Sequence, residues 1–174
     1  MKILLIAAAT VVAVIAISAA FVLFIGSRLP KDHTVSRSIR INRPVSDVYR
    51  TIRYLENHPN WRDGVASIEL LPPESASGRP RFRETGPHGT VTYEISEDIP
   101  NRRLVTTILD RDLGYSGSWT YAFESDGEAA TNLTITENGE VTNLLFRFLS
   151  YYVFGHTATI DTYLKALSNQ LGGT

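Results

Sequence analysis

The sequence predicts an α+β chain in which an apolar helix is followed by a first strand, a short helix pair, about six further strands and a long last helix. Three observations lead to this prediction. An unbroken apolar run stands at the N-terminus, short segments of period-two hydrophobicity alternate with turn residues through the middle, and apolar residues recur at helical spacing toward the end.

The N-terminal run extends from Ile3 to Ile25, with Thr10 and Ser18 as its only polar members. A helix of this length spans about 34 Å, which exceeds the hydrocarbon thickness of a bilayer, about 30 Å. Nothing else in the chain resembles this run. We therefore expect residues 3–25 to contact a membrane as a single-pass transmembrane anchor.

A cleaved signal peptide is the alternative to a retained anchor. The apolar region of a signal peptide runs for about 7–15 residues and ends at small residues. This run is longer and ends in the bulky stretch Phe21 to Ile25, which favours an anchor, although Ala19 and Ala20 keep the alternative open. Basic residues lie mainly after the run, so the positive-inside rule favours a cytoplasmic domain.

Composition limits the classes of protein to which the chain can belong. The 174 residues divide into an anchor over 1–26, a linker over 27–32 and one domain of ordinary size over 33–174. Lys and Arg total 17 and Asp and Glu total 18, without a basic block, so no nucleic-acid partner is expected. The chain has no cysteine, which excludes thiolate catalysis and zinc–thiolate sites.

The middle of the chain has the pattern of an antiparallel meander. A strand over Val35–Ile41 leads to a short amphipathic helix that Pro44 begins, and the pattern changes to period two after Gly64. The strands predicted there are Val65–Leu71, Pro80–Thr85, Gly89–Ser96, Arg103–Leu109, Gly117–Phe123 and Thr131–Thr136. A long last helix is predicted from about Thr142 to Leu171, and Gly155 is expected to bend it.

The stretch Leu144–Phe154 within this last helix is apolar nearly all round. A helix of that kind is normally buried on every side or meets a membrane. Two interpretations stay open. Either Phe146, Tyr151 and Phe154 contact lipid beside a pocket mouth, or the small helices and the first strand cover them.

Four segments within residues 34–171 suggest a known fold: Ser38–Tyr49, a strand running into a proline-started helix; Asn60-Trp61; Gly117–Glu124; and Leu133–Gly139, which precedes the last helix. In this order they resemble the START-like superfamily, also called the polyketide cyclase/dehydrase or SRPBCC group. The resemblance implies a helix-grip fold, in which a curved antiparallel sheet wraps around the C-terminal helix. Members hold lipids, sterols, polyketides or other apolar molecules in the cavity between them. Some are enzymes and many are not, so the fold alone does not decide the activity.

Catalytic spacings are absent from the sequence. It contains no Gly-x-Ser-x-Gly elbow, no His-Glu-x-x-His pair, no phosphate loop and no dinucleotide fingerprint. The four histidines are scattered, without a second histidine at metal-ligand spacing: His33, His58, His88 and His156. We therefore assign no catalytic residue and expect neither a metal nor a cofactor.

Under the helix-grip interpretation, eight residues are candidates for the ligand-binding cavity: Tyr93, Trp119, Tyr121, Phe123, Glu137, Phe148, Tyr152 and His156. The strand aromatics describe either a small-molecule pocket or a filled core. His156 either orients a ligand or makes a structural hydrogen bond. If Glu137 points inward it needs a partner, for which Arg83 or Arg103 is available, and with His156 it would be the natural acid–base pair of an enzyme.

Three functions are consistent with these observations. The favoured one is a membrane-anchored binding protein for an apolar small molecule or a lipid, held between the sheet and the C-terminal helix. The second is an enzyme of the cyclase or dehydratase type acting on an apolar substrate. The third is an interaction module with a filled core, and the volume of the cavity separates it from the other two.

Overall fold

The computed structural model of the chain describes residues 1–73, 78–87 and 89–172, and it confirms the predicted fold class. His88, one of the four histidines, lies outside the described residues. The helices are α1 (Lys2–Arg28), α2 (Val45–Arg53), a 3-10 helix (Leu55–Asn60), α3 (Leu144–Leu149), a π-helix (Ser150–Phe154) and α4 (Ala158–Gln170). The strands are β1 (Asp32–Ile41), β2 (Ser67–Leu71), β3 (Arg81–Gly86), β4 (Gly89–Ile99), β5 (Arg103–Ile108), β6 (Tyr115–Ser125) and β7 (Thr131–Val141).

The strands form one antiparallel sheet in the order β1-β7-β6-β5-β4-β3-β2. Strands β2 to β7 are neighbours in chain order, as the turn residues predict. Strand β1 lies at the edge of the sheet and pairs with β7 from Asp32 to Ile41. The register of β4 and β5 shifts between Ile95 and Glu97, and a bulge of this kind bends a strand and increases its twist. The sheet thereby curves around the C-terminal region.

The core lies on the concave side of the sheet. Inward residues of the strands meet one face of α4 and the inner face of α2, and each of these faces was predicted by its hydrophobic period. The fully buried side chains include Ile41, Val48, Ile52, Leu133, Ile135, Ile160 and Leu167. Because this packing is concentrated around α2, α4 and the ends of the strands beside them, the opposite end of the concave side is left less filled.

The last helical region differs from the single helix that its sequence pattern predicts. It consists of α3, the π-helix and α4, with Gly155 at the break between the last two. Gly155 has a φ of 74°, a left-handed conformation that glycine adopts without steric cost. The α3 and π-helix residues together, Leu144–Phe154, are called the α3–π segment below. The break lets this segment leave the direction of α4 and pack against α1.

The contact between α1 and the domain is built around a buried arginine. Arg147 of α3 is only 4% exposed. Its guanidinium donates to the carbonyl oxygens of Val141, Gly26, Leu29 and Thr142 at 2.9, 3.3, 3.4 and 3.3 Å, respectively. The Gly26 carbonyl lies in the last turn of α1, where helix carbonyls lack intrahelical partners and attract cations. Arg147 therefore joins the end of α1, the end of β7 and α3 at one point.

Replacing Arg147 should destabilise the domain strongly. In an Arg147→Met chain the free energy of unfolding should fall by about 3 kcal/mol, because buried carbonyls would lose their donors. Arg102→Met, an exposed arginine in the β4–β5 turn, is the matched control and should change stability little. Urea denaturation of the full chain in detergent micelles measures both values. Equal stabilities of the two variants would contradict this account of Arg147.

Candidate functional site

A cavity of about 530 Å³ lies between the sheet and the C-terminal helical region. This volume is within the range of small-molecule pockets, about 300–1,000 Å³. Strands β3 to β7 supply most of its wall, the 3-10 helix and α2 close its inner end, and the α3–π segment covers one side. The cavity arises because α4 fills only part of the concave side of the sheet.

One wall of the cavity carries a partly buried ion pair between Arg62 and Glu84. The guanidinium donates two hydrogen bonds to the carboxylate, at 2.7 and 3.1 Å, and lies over the ring of Tyr163 at 5.1 Å from its centroid. Arg62 also lies 3.1 Å from Nδ1 of His58, whose Nε2 bonds to the carbonyl of Ile52 at 2.9 Å. Because both charges are paired, this wall presents no isolated charge to the cavity.

The facing wall carries a second polar group, which we call the His33–Glu137 cluster: His33, Trp119, Glu137 and His156. The indole N–H of Trp119 donates to Oε2 of Glu137 at 2.8 Å, and Nε2 of His33 lies 3.1 Å from Oε1. The rings of His33 and His156 stack with centroids 4.3 Å apart. The carboxylate is thus held on both oxygens, with two imidazoles beside it.

A glycine creates the space for this cluster. His33 on β1 is opposite Gly139 on β7, and the imidazole lies flat across that glycine. A Cβ at position 139 would lie 2.4 Å from Cε1 of His33, closer than atoms in contact allow. The missing side chain lets His33 reach from the edge strand across β7 to the cavity.

Burial shifts the pKa of several cavity groups. It raises the pKa of Tyr93 and of Tyr121 above the ordinary value, so both phenols keep their protons. The hydroxyl of Tyr121 is engaged with Tyr163, and that of Tyr93 can donate to a ligand oxygen. Burial, followed by the nearby charge of Arg62, lowers the pKa of His58 to about 4. Burial also lowers the pKa of His156, with His33 contributing and Glu137 opposing the shift.

The cavity has an open mouth at one end of the sheet. The exposed residues around the mouth include Pro87, Gly89, Tyr115, Phe146 and Phe154. The inner end is formed by buried residues of α2, the 3-10 helix and the middles of the strands. The exposed lining residues therefore mark an opening at the end of the sheet beside the α3–π segment.

Five of the eight predicted cavity residues line the cavity: Tyr93, Trp119, Tyr121, Glu137 and His156. Among the described residues, the other three lie elsewhere. Phe123 is buried in the filled core with its ring edge against Tyr49. Tyr152 is 58% exposed and packs beside Phe148, because the π-helix changes the angular spacing on which their placement depended. Whether any of the eight binds a ligand stays a prediction.

The predicted partner of Glu137 was wrong. Arg83 donates to Glu69 and Arg103 donates to Glu97, both outside the cavity, because their strand neighbours Phe82 and Leu104 take the inward positions. Sequence reasoning also missed Arg62, Glu84, His58 and His33 as cavity residues. For His33 a signal existed, since it shares the parity of the inward residues of β1, Val35 to Ile41. For Glu84 a signal also existed, since it shares the parity of Phe82 on β3. For Arg62 and His58 the sequence held no period or motif.

The comparisons with known proteins agree with this architecture. Residues 32–167 match the family described as polyketide cyclase / dehydrase and lipid transport, and the chain belongs to that family. No curated protein matches the sequence.

Several solved structures share the fold at low sequence identity. A START superfamily protein from Mycobacterium smegmatis is 17% identical with a TM-score of 0.64, covering 80% of this chain and 97% of its own. The Zhui aromatase/cyclase from Streptomyces sp. R1128 is 13% identical with a TM-score of 0.63, covering 82% and 99%. Norcoclaurine synthase from Thalictrum flavum is 11% identical with a TM-score of 0.61, covering 80% and 94%. These likenesses establish the fold and leave the ligand open.

The pKa of His58 predicts how stability depends on pH. His58 binds a proton near pH 6.5 in the unfolded chain and only near pH 4 in the folded one, so acid favours unfolding. Its contribution should be constant above pH 6.5, decline as the pH falls toward 4, and amount to roughly 3 kcal/mol. Unfolding free energies of wild type and His58→Gln at pH 7.5 and pH 4.5 measure it. An equal acid loss in both chains would contradict the prediction.

The glycine opposite His33 can be tested by a double-mutant cycle. Gly139→Ala should destabilise the chain by about 1–2 kcal/mol, because the imidazole must move off Glu137. Gly64→Ala, at a glycine with open space around its Cβ position, is the matched control. In a His33→Ala background the cost of Gly139→Ala should largely disappear. A cost that persists in that background would mean that the imidazole is not what Gly139 accommodates.

Proposed function

We propose that this protein is membrane-anchored and binds an uncharged apolar molecule, such as a lipid, in the cavity between the sheet and the C-terminal region. The observation that carries the proposal is a cavity of about 530 Å³ whose inward carboxylates, Glu84 and Glu137, both accept hydrogen bonds within the protein. Such a volume favours ligand binding over an interaction module with a filled core.

The charges of the cavity favour an uncharged ligand. Glu84 is held by Arg62 and Glu137 by His33 and Trp119, so a ligand charge would meet no free counter-ion at either cluster. Removing a charge from water without such a partner is costly. Hydroxyl or carbonyl groups would instead find the protonated phenol of Tyr93.

The structure also supports a retained anchor over a cleaved signal peptide. The helix α1 is the one helix among the described residues that is long and apolar enough to cross a membrane. Its end is part of the domain's packing, since Gly26 is buried and a Cβ there would lie 2.3 Å from the carbonyl oxygen of Leu144. A cleavage that separated Gly26 from the domain would remove one of the carbonyl oxygens to which Arg147 donates.

An enzyme is the second candidate, and the His33–Glu137 cluster is the observation that favours it. A carboxylate fixed on both oxygens beside an imidazole resembles the arrangement by which a general base is oriented. His156, which stacks on His33, would be the second proton carrier. A turnover assay on the molecule that co-purifies with the protein distinguishes an enzyme from a binding protein. Loss of turnover in Glu137→Gln with binding retained would favour the enzyme.

The cavity should determine which molecules co-purify with the protein. Thr106 faces the cavity on β5, opposite Trp119, and Thr106→Phe should fill part of it. Thr107→Phe places the same ring on the outer face of the same strand and is the matched control. Native mass spectrometry of the full chain, followed by solvent extraction, should recover an apolar molecule from wild type and Thr107→Phe, and at least tenfold less from Thr106→Phe. Equal recovery from both variants, or none from wild type, would contradict the proposal.

A further inference from the structure

We propose that the α3–π segment is inserted in the same bilayer as α1, so that the mouth of the cavity opens onto lipid rather than onto water. The route for the ligand rests on the ligand binding in the proposed function, and the insertion of the segment rests on its membrane anchor, α1. Which part of the domain then meets the bilayer follows from exposed surface, the link to α1 and the topology of the sheet.

The first observation is the apolar surface of the α3–π segment. Its exposed large apolar side chains are Leu145, Phe146, Tyr151, Tyr152, Val153 and Phe154, with Phe154 exposed by 64%. They fall in two short runs of the segment, 145–146 and 151–154, whereas water-soluble proteins rarely leave large apolar patches exposed. The one charged residue of the segment, Arg147, is buried, so its outer surface carries no charge. A surface of this composition, with tyrosines among the aliphatic residues, suits the membrane interface.

The second observation is that α1 fixes the segment at a definite depth. One stripe of α1, formed by Val22, Ile25 and Gly26, is less exposed than the rest, and α3 is the element that packs there. Val22 lies about 9 Å along the helix from Arg28, within the apolar run. A segment packed on this stripe reaches the boundary between headgroups and acyl chains, about 5–10 Å deep.

The third observation is the direction in which the sheet presents the cavity. β1 begins at Asp32, directly after α1, and the antiparallel pairing places the end of β7 and the start of β6 beside it. The β3–β4 turn at Pro87 and the exposed Tyr115 lie at this same end, where the cavity opens. The β6–β7 turn, which includes Glu128, lies at the opposite end. The mouth of the cavity and the anchor α1 therefore lie on the same side of the domain.

A second copy of the chain or another protein is the competing occupant of this apolar surface. The bilayer is favoured because α1 enters it beside the α3–π segment, and the buried Arg147 contacts prevent the segment from turning away. A protein partner would have to occupy space that the anchor places in lipid headgroups.

The chain has no cysteine, so a single introduced cysteine can carry a nitroxide label without the removal of native cysteines. We would label Tyr151→Cys, Phe154→Cys and Tyr115→Cys in the full chain in phospholipid nanodiscs, with Glu128→Cys as the control at the far end. Collision rates with oxygen and with a water-soluble nickel chelate report the depth of each label. The positions are exposed, so folding should be retained, and circular dichroism checks it.

The proposal predicts that oxygen collides with the labels at 151 and 154 at least threefold more effectively than the nickel chelate does, relative to the label at 128. The label at 115 should show an intermediate ratio, as expected at the headgroups. Ratios equal to that at 128 would overturn the proposal. Labels shielded from both reagents would also overturn it, because they would mean that protein covers the segment. The collision ratios do not depend on whether the cavity holds a ligand. Co-purification tests that separately.

Discussion

The organisation of this molecule depends on the buried guanidinium of Arg147. A charge this deeply buried is stable only when its N–H groups have hydrogen-bond acceptors. Here the acceptors are carbonyl oxygens of α1, of β7 and of the residues that follow each of these elements. The interaction fixes the end of an apolar helix to the end of a strand, and it thereby fixes how the domain is turned relative to α1. The direction of the cavity mouth follows from this one connection.

The carboxylates of the cavity also have partners within the protein. Each of its two polar clusters pairs a carboxylate with a cationic or hydrogen-bonding group on a different element, so the strands β3 and β7 that carry the carboxylates are tied to the 3-10 helix region and to β1. These ties stabilise the walls without filling the space between them. What remains for a ligand is an apolar volume with phenol and imidazole groups at its sides, an environment suited to a molecule that is mostly hydrocarbon with a few oxygen atoms.

Much of the fold was predictable because it rests on local periodicity. The apolar run predicted α1, alternation predicted the strands, and the β4–β5 and β6–β7 turns occur where Pro100-Asn101 and Asp126-Gly127 stand. The interruption of the last helix was less predictable, since the apolar residues keep helical spacing through a π-helix. The clusters were least predictable. His33 reaches Glu137 only because the β1–β7 register sets Gly139 opposite it, and Arg62 meets Glu84 through pairing between separate elements.

The central claim is that a molecule from the bilayer enters the cavity at a mouth held against the membrane. The chain has two tryptophans, and Trp61→Phe leaves Trp119, which lines the cavity, as the single reporter. The most direct measurement is the quenching of this fluorescence in nanodiscs that contain an uncharged lipid brominated near the end of its acyl chain. The account predicts strong quenching of Trp119 that Thr106→Phe largely removes. Fluorescence equal to that in unbrominated nanodiscs, or quenching unaffected by Thr106→Phe, would contradict it.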